Sequence, residues 1–165
     1  MHTFSDLRTG DLLVWGKAPI QRKALNYLDI VRVATTSNFG HVSVVWDEGP
    51  KPSHVEAVKP FIVKRKIMKS NGLYVIPMEL SISDKEMMEF FWDKLGLKYG
   101  TLDAFRAWLG ITLKDENKWQ CVELCLEFYR SLGLDIPNAF TPTDLVTTIM
   151  DVTGKPLHKL KTEEF

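Results

Sequence analysis

The chain has 165 residues, 45% hydrophobic and 25% charged. That is one domain's worth of sequence, with enough apolar material for a core and too much for a disordered chain. Lys plus Arg number 21 and Asp plus Glu 21, a formal net charge of zero, which removes any electrostatic argument for nucleic acid or an anionic membrane surface as partner.

No apolar run approaches the roughly 20 residues of a transmembrane helix, and the N-terminus lacks the basic-then-apolar order of a secretory signal. Two cysteines do not frame a disulfide scaffold. A soluble cytoplasmic protein is the expectation. With no repeat, low-complexity tract or linker, the chain reads as a single domain over 1–165, ending in a charged, solvated tail at about 155–165.

In chain order, Leu12 to Trp15 follows a turn at Thr9-Gly10-Asp11 and reads as a strand. Pro19 suits a first helical turn, and Ile20, Ala24, Tyr27, Leu28 and Val31 recur behind it at helical spacing. Thr35 to Gly40 is loop material. His41 to Trp46 and His54 to Val58 read as the strands of a hairpin, since Glu48-Gly49-Pro50-Lys51-Pro52 between them forms a turn. Phe61 to Ile67 and Leu73 to Met78 add two strands.

Helical patterns then take over. Ser83 and Glu86 make a capping box, with Met87, Phe90, Phe91 and Leu95 at helical spacing and Gly96 as the stop. Thr101 to Leu109, closed by Gly110, reads as a second helix. Asn117 with Gln120 resembles a further capping box, and the helix behind it spans about Trp119 to Leu132, stopped by Gly133. On that helix Glu123, Glu127 and Arg130 form one narrow polar stripe, so most of it should be buried. Strands first and helices after predict an α+β fold.

Cys121 stands near the start of that helix. A thiol there feels unpaired N–H groups and the positive dipole end, which favour a thiolate nucleophile. The competing reading is a small core residue, the usual fate of a free cysteine. Cys125, about one turn or 6 Å deeper, lies among Leu124, Leu126 and Phe128 and reads as core. His41 opens a strand, where its imidazole can face a helix end; a lone histidine is otherwise a structural hydrogen-bonder. If residue 43 pairs near residue 56, Glu56 lies diagonally across from His41, and a carboxylate there fixes the tautomer and supports the imidazolium. Without a nucleophile nearby, Glu56 reads as a solvated edge charge. Tyr99 and Trp119 flank the site in sequence, as cleft walls or as core.

A metal reading uses the same region. His54-Val55-Glu56 is an H-x-E, which zinc deaminases combine with P-C-x-x-C. Here Gln120 replaces the proline and the cysteines are spaced C-x-x-x-C. One extra residue turns the second thiol about 100° around the helix and spoils the ligand pair.

Taken in order, Thr9-Gly10-Asp11-Leu12-Leu13, Gly40-His41-Val42-Ser43-Val44-Val45, Val55-Glu56-Ala57, Lys98-Tyr99-Gly100, Trp119-Gln120-Cys121-Val122-Glu123-Leu124 and Thr141-Pro142-Thr143-Asp144-Leu145 resemble the circularly permuted papain-like amidases, the YiiX-like branch of the NlpC-type peptidases. The similarity covers about residues 8–146. In that family histidine comes first, the acidic residue second and cysteine last, with a cysteine motif like W-x-C-S-E-L. Val122 departs from it, where the family more often has Ser.

The resemblance implies a papain-like scaffold with Cys121 as nucleophile, His41 as base and Glu56 as orienter; no cofactor is expected, and no metal, because the cysteine spacing misfits a zinc pair. Tyr99 and Trp119 would line the substrate cleft. The implied substrates are amide bonds in cell-wall or other peptides, or acyl groups on lipids. A lipid-directed acyltransferase on the same scaffold and a catalytically silent binding module are the other expectations. Oligomeric state is left open.

Overall fold

The computed structural model describes residues 2–16, 38–47, 52–68, 72–99 and 118–161. The expected helix behind Pro19, residues 35–37 of the expected loop over 35–40, residues 48–51 of the turn over 48–52, the helix over 101–109 and the capping role of Asn117 lie outside them. Phe39 and Gly40, expected in that loop, are strand residues instead, because they extend the ladder that His41 was expected to open. A single 3-10 turn at Phe4–Asp6 leads into β1 (Leu12–Gly16), β2 (Phe39–Trp46), β3 (Ser53–Val58), β4 (Phe61–Lys66) and β5 (Leu73–Ile76). Then come α1 (Asp84–Phe91), β6 (Lys98–Tyr99), β7 (Lys118–Trp119), α2 (Cys121–Ser131), α3 (Pro142–Thr153) and β8 (His158–Lys159).

Among the described residues one sheet runs β7-β6-β4-β3-β2-β1-β5-β8. Its pairs are antiparallel, apart from the parallel two-residue pair β6–β7. The α+β expectation holds, and β2 and β3 form the expected hairpin, Val44 opposite Val55. β5 stops at Ile76 because Pro77 has no N–H to give the ladder.

Period-2 alternation divides the sheet between two cores. Leu12, Val14, Val42, Val44, Trp46, Val55 and Ala57 pack with α2 and α3 through Leu124, Phe128, Tyr129, Leu145 and Ile149. On the other face Leu13, Val45, Leu73 and Val75 pack with Phe4, Leu7 and Leu160. Phe90 and Phe91 of α1 and Phe128 and Tyr129 of α2 form an aromatic run joining the two helices, with Phe91 stacked on Phe128 at 5.1 Å between centroids. Among the described residues no helix is long and apolar enough to cross a membrane.

The capping box at Ser83 and Glu86 forms as expected, Glu86 N–H donating to Ser83 Oγ at 3.3 Å and Ser83 N–H to Glu86 Oε2 at 2.8 Å. The helix it starts ends at Phe91, and a turn carries the chain through Leu95 to Gly96, whose φ is +86°. α2 begins at Cys121, two residues later than expected, because Lys118–Trp119 pairs as a strand beside β6 and Gln120 is the N-cap. α3 was not among the expected helices. Its start is a capping box between Thr141 and Asp144 with Pro142 in the first turn. The described part of the tail is also a correction: rather than standing in solvent, His158–Lys159 pairs with β5 and Leu160 is buried, with His2 bridged alongside it. Edge pairing against Tyr74 and Val75 gives these residues a partner that local charge alternation does not reveal.

Candidate functional site

Gly10 ties α2 to the sheet, and Asp11 beside it fixes the turn. Gly10 takes φ +93°, and a Cβ there would lie 2.3 Å from Ile82 Cδ1, so only glycine fits without a shift. Its N–H donates to Val45 O at 3.0 Å, and its carbonyl accepts from the buried Tyr129 hydroxyl at 2.9 Å. The buried Asp11 carboxylate accepts from Arg8 N–H at 2.8 Å and Met78 N–H at 2.9 Å. Burial raises its pKa despite these bonds.

The polar stripe on α2 is as expected: Glu123, Glu127 and Arg130 are half-buried, while Cys121, Val122, Leu124, Cys125, Leu126, Phe128 and Tyr129 are buried. Cys121 is the first helical residue. The Gln120 side chain makes no capping hydrogen bond, and the first helical bond runs from Leu124 N–H to Gln120 O at 2.9 Å. A helix start leaves its first-turn N–H groups without intrahelical partners, and the N-cap side chain supplies none here.

His41 is the third residue of β2, beside the bulge where the β1–β2 register shifts between Trp15 and Gly16. Continuing the β2–β3 register by one residue sets Ser43 beside Glu56, so Glu56 is diagonal to His41. The structure brings Cys121, His41 and Glu56 together. His41 Nε2 meets Glu56 Oε2, and the Cys121 thiol lies close enough to His41 to act on its proton. With Nε2 engaged by the carboxylate, Nδ1 is the ring nitrogen left for sulfur. Burial disfavours the imidazolium, but the charge and hydrogen bonds of Cys121 and Glu56 outweigh it and raise the His41 pKa to about 9.

Glu56 is buried, at 1% exposure. Burial works against its charge, yet His41, His54 and Arg65 together hold its pKa below the ordinary value. Its second oxygen, Oε1, contacts Arg65 Nη2 and lies 3.9 Å from His54 Nε2. His54 Nδ1 shares a hydrogen with Ser43 Oγ at 2.8 Å. Burial lowers the His54 pKa to about 4, with the neighbouring cations acting in the same direction and Glu56 against it. Trp15 lies against both imidazoles, 5.2 Å between centroids in each case.

Trp15 and Arg65 were missing from the sequence reading. The cross-strand pairs that aim them, Trp15 with His41 and His54 with Arg65, appear only once the sheet register is known. The Trp119 ring packs at the edge of the main core, with Lys94 Nζ 5.6 Å from its centroid. Tyr99 is paired with Trp119 in backbone register, and its side chain lies outside the described residues. Cys125 is fully buried one turn below Cys121. Burial pushes its thiol well above the ordinary pKa, and the charges of Cys121 and Glu56 add to the shift. Among the described residues no group of three or more His, Cys, Asp or Glu side chains is arranged to hold a metal ion.

Taken together, the arrangement offers a thiol at a helix start, an imidazole that can exchange a proton with it, and a buried carboxylate that orients the imidazole. Set against known proteins, the chain matches no protein-family model and no curated protein sequence.

Proposed function

We propose that this chain is a cysteine hydrolase of the circularly permuted papain-like type, cleaving an amide bond through Cys121, His41 and Glu56. The observation that carries the reading is His41 itself, hydrogen-bonded to the buried Glu56 carboxylate and with Cys121, at the start of its helix, near enough to act on its proton. The chain order His, Glu, Cys and the antiparallel sheet packed on the cysteine helix support the same scaffold.

In this mechanism the Cys121 sulfur attacks the substrate carbonyl, forming a C–S bond. First-turn N–H groups, that of Cys121 among them, hold the oxyanion. His41, carrying the proton it has taken from the Cys121 thiol, gives it to the departing amine as the C–N bond breaks. It then takes a proton from the water that attacks the thioester, and the carboxylate product leaves with the thiol restored. Glu56 stays ionised throughout and steadies the imidazolium. Tyr99 and Trp119 would border the cleft.

Incubation with cell-wall muropeptides and with phospholipids, followed by mass analysis, tests the reading and its substrate class together. Amide cleavage that Cys121→Ala removes, by a factor on the order of 10⁴, is the expected result. Loss of an acyl chain from phospholipid alone would move the activity to lipid acyl groups. Undiminished turnover by Cys121→Ala would end the cysteine mechanism.

A further inference from the structure

The site carries one more permanent charge than a thiol, an imidazole and a carboxylate need. Arg65 projects from β4, paired with His54 and diagonal to Glu56 across the β3–β4 ladder. Its guanidinium contacts Glu56 Oε1, the oxygen His41 does not use, while the rest of its side chain reaches solvent at 48% exposure. We infer that Arg65 is a positioning residue, the standing counter-ion that keeps Glu56 ionised and aimed at His41 when His41 itself is neutral. The inference rests on the proposed cysteine mechanism and extends it by one residue.

The argument is a charge count. Cys121 thiolate, His41 imidazolium and Glu56 carboxylate sum to one negative charge; Arg65 brings the sum to zero. Once His41 has passed its proton to the departing amine and the sulfur is acylated, Glu56 is the one anion of the three. A carboxylate at 1% exposure without a cation takes up a proton instead of staying charged. Among the described residues, the groups facing Glu56 are His41 from β2, His54 on its own strand and Arg65 from β4, with Cys121 of α2 beyond His41. His54 is spoken for by Ser43 and stays neutral above acidic pH. Lys64, next to Arg65 in the strand, lies over the Trp46 ring on the other face. That leaves Arg65.

The experiment reads iodoacetamide labelling of Cys121 against pH, by peptide mapping of the full chain, in the parent and in Arg65→Gln, Arg65→Lys and Glu56→Gln/Arg65→Gln. Arg65→Gln should move the acid limb of the profile upward. Labelling near pH 6 should fall about tenfold, an amount equal to one unit of pKa, while labelling near pH 8 changes less than about twofold. Arg65→Lys, which keeps the charge, should restore most of the loss. In the Glu56→Gln background Arg65→Gln should change nothing further, because the carboxylate it serves is gone. A superimposable Arg65→Gln profile overturns the inference, as does an equal loss in the Gln and Lys variants at every pH, the mark of a purely structural part. Labelling needs no substrate, so it still reports Arg65 if the chain cleaves no amide. Conversely, amide hydrolysis abolished by Cys121→Ala would stand even if Arg65 proved silent.

Discussion

His41 and His54 occupy the same face of neighbouring strands. Each has its ring 5.2 Å from that of Trp15, and each has Glu56 nearby. Burial presses both toward the neutral imidazole, yet His41 is raised to about 9 and His54 lowered to about 4. The difference lies in what each can touch. His41 has a carboxylate in contact and the Cys121 thiol as its next partner. His54 has a hydroxyl at 2.8 Å and a carboxylate oxygen only at 3.9 Å, with the cations His41 and Arg65 beyond. In one low-dielectric environment, anions in contact decide the proton; anions one shell out do not. The raised histidine belongs to the proposed chemistry, and the lowered one supports the sheet around it.

The sharpest way to break this contrast is to remove each histidine in turn. His41→Ala is expected to lower kcat/KM by on the order of 10³–10⁴, through loss of the base. His54→Gln, which keeps a polar side chain near Ser43, should stay within about tenfold of the parent. Equal losses in the two variants would erase the distinction between them.

Stability against pH gives a smaller effect with opposite signs. A histidine whose pKa is raised on folding stabilises fully below its unfolded value, near 6.5, and loses that contribution as pH rises through about 9. A histidine whose pKa is lowered acts at the other end: between 6.5 and about 4 the unfolded chain takes a proton the folded one refuses, so stability falls as pH falls. Each contribution is on the order of a few kcal/mol. Melting temperatures from pH 4 to 10 should therefore show His54→Gln with a shallower acid limb and His41→Gln with a shallower alkaline limb. Parallel curves for parent and variants would show that neither imidazole is coupled to folding as described.

The two thiols repeat the contrast on a single helix at smaller scale. Cys121 retains 8% exposure beside His41, whereas Cys125 is fully buried and its thiol pushed up. Brief iodoacetamide treatment at about pH 6 should label Cys121 at least about tenfold faster, as read by peptide mapping. Preferential labelling of Cys125 would reverse the assignment.

Much of this was legible from the chain. Strands β1 to β5, the capped α1 and the placement of Cys121 at a helix start follow from period, turn residues and caps, which are local signals. The diagonal of His41 and Glu56 was legible too, because a hairpin register follows from two neighbouring strands. Arg65 was not. In Lys64-Arg65-Lys66 it is one cation among three, and only the β3–β4 register gives it a buried carboxylate. The docking of Leu160 escaped for a related reason: its partners, Leu73 and His2, are far away in sequence. α3 was the avoidable omission, since Thr141, Pro142 and Asp144 carry a complete start signal.

Helix α2 is also a rod held at a point away from its reactive tip. Tyr129 lies roughly 12 Å along the axis from Cys121 at the usual rise per residue, and its hydroxyl is latched to Gly10 O, whose own N–H is tied to Val45 in the sheet. A rigid rod cannot slide or turn at one end without doing so at the other. The clearance between sulfur and imidazole is thus gauged partly at the Gly10 turn, and slack at that latch would be transmitted as play at the thiol.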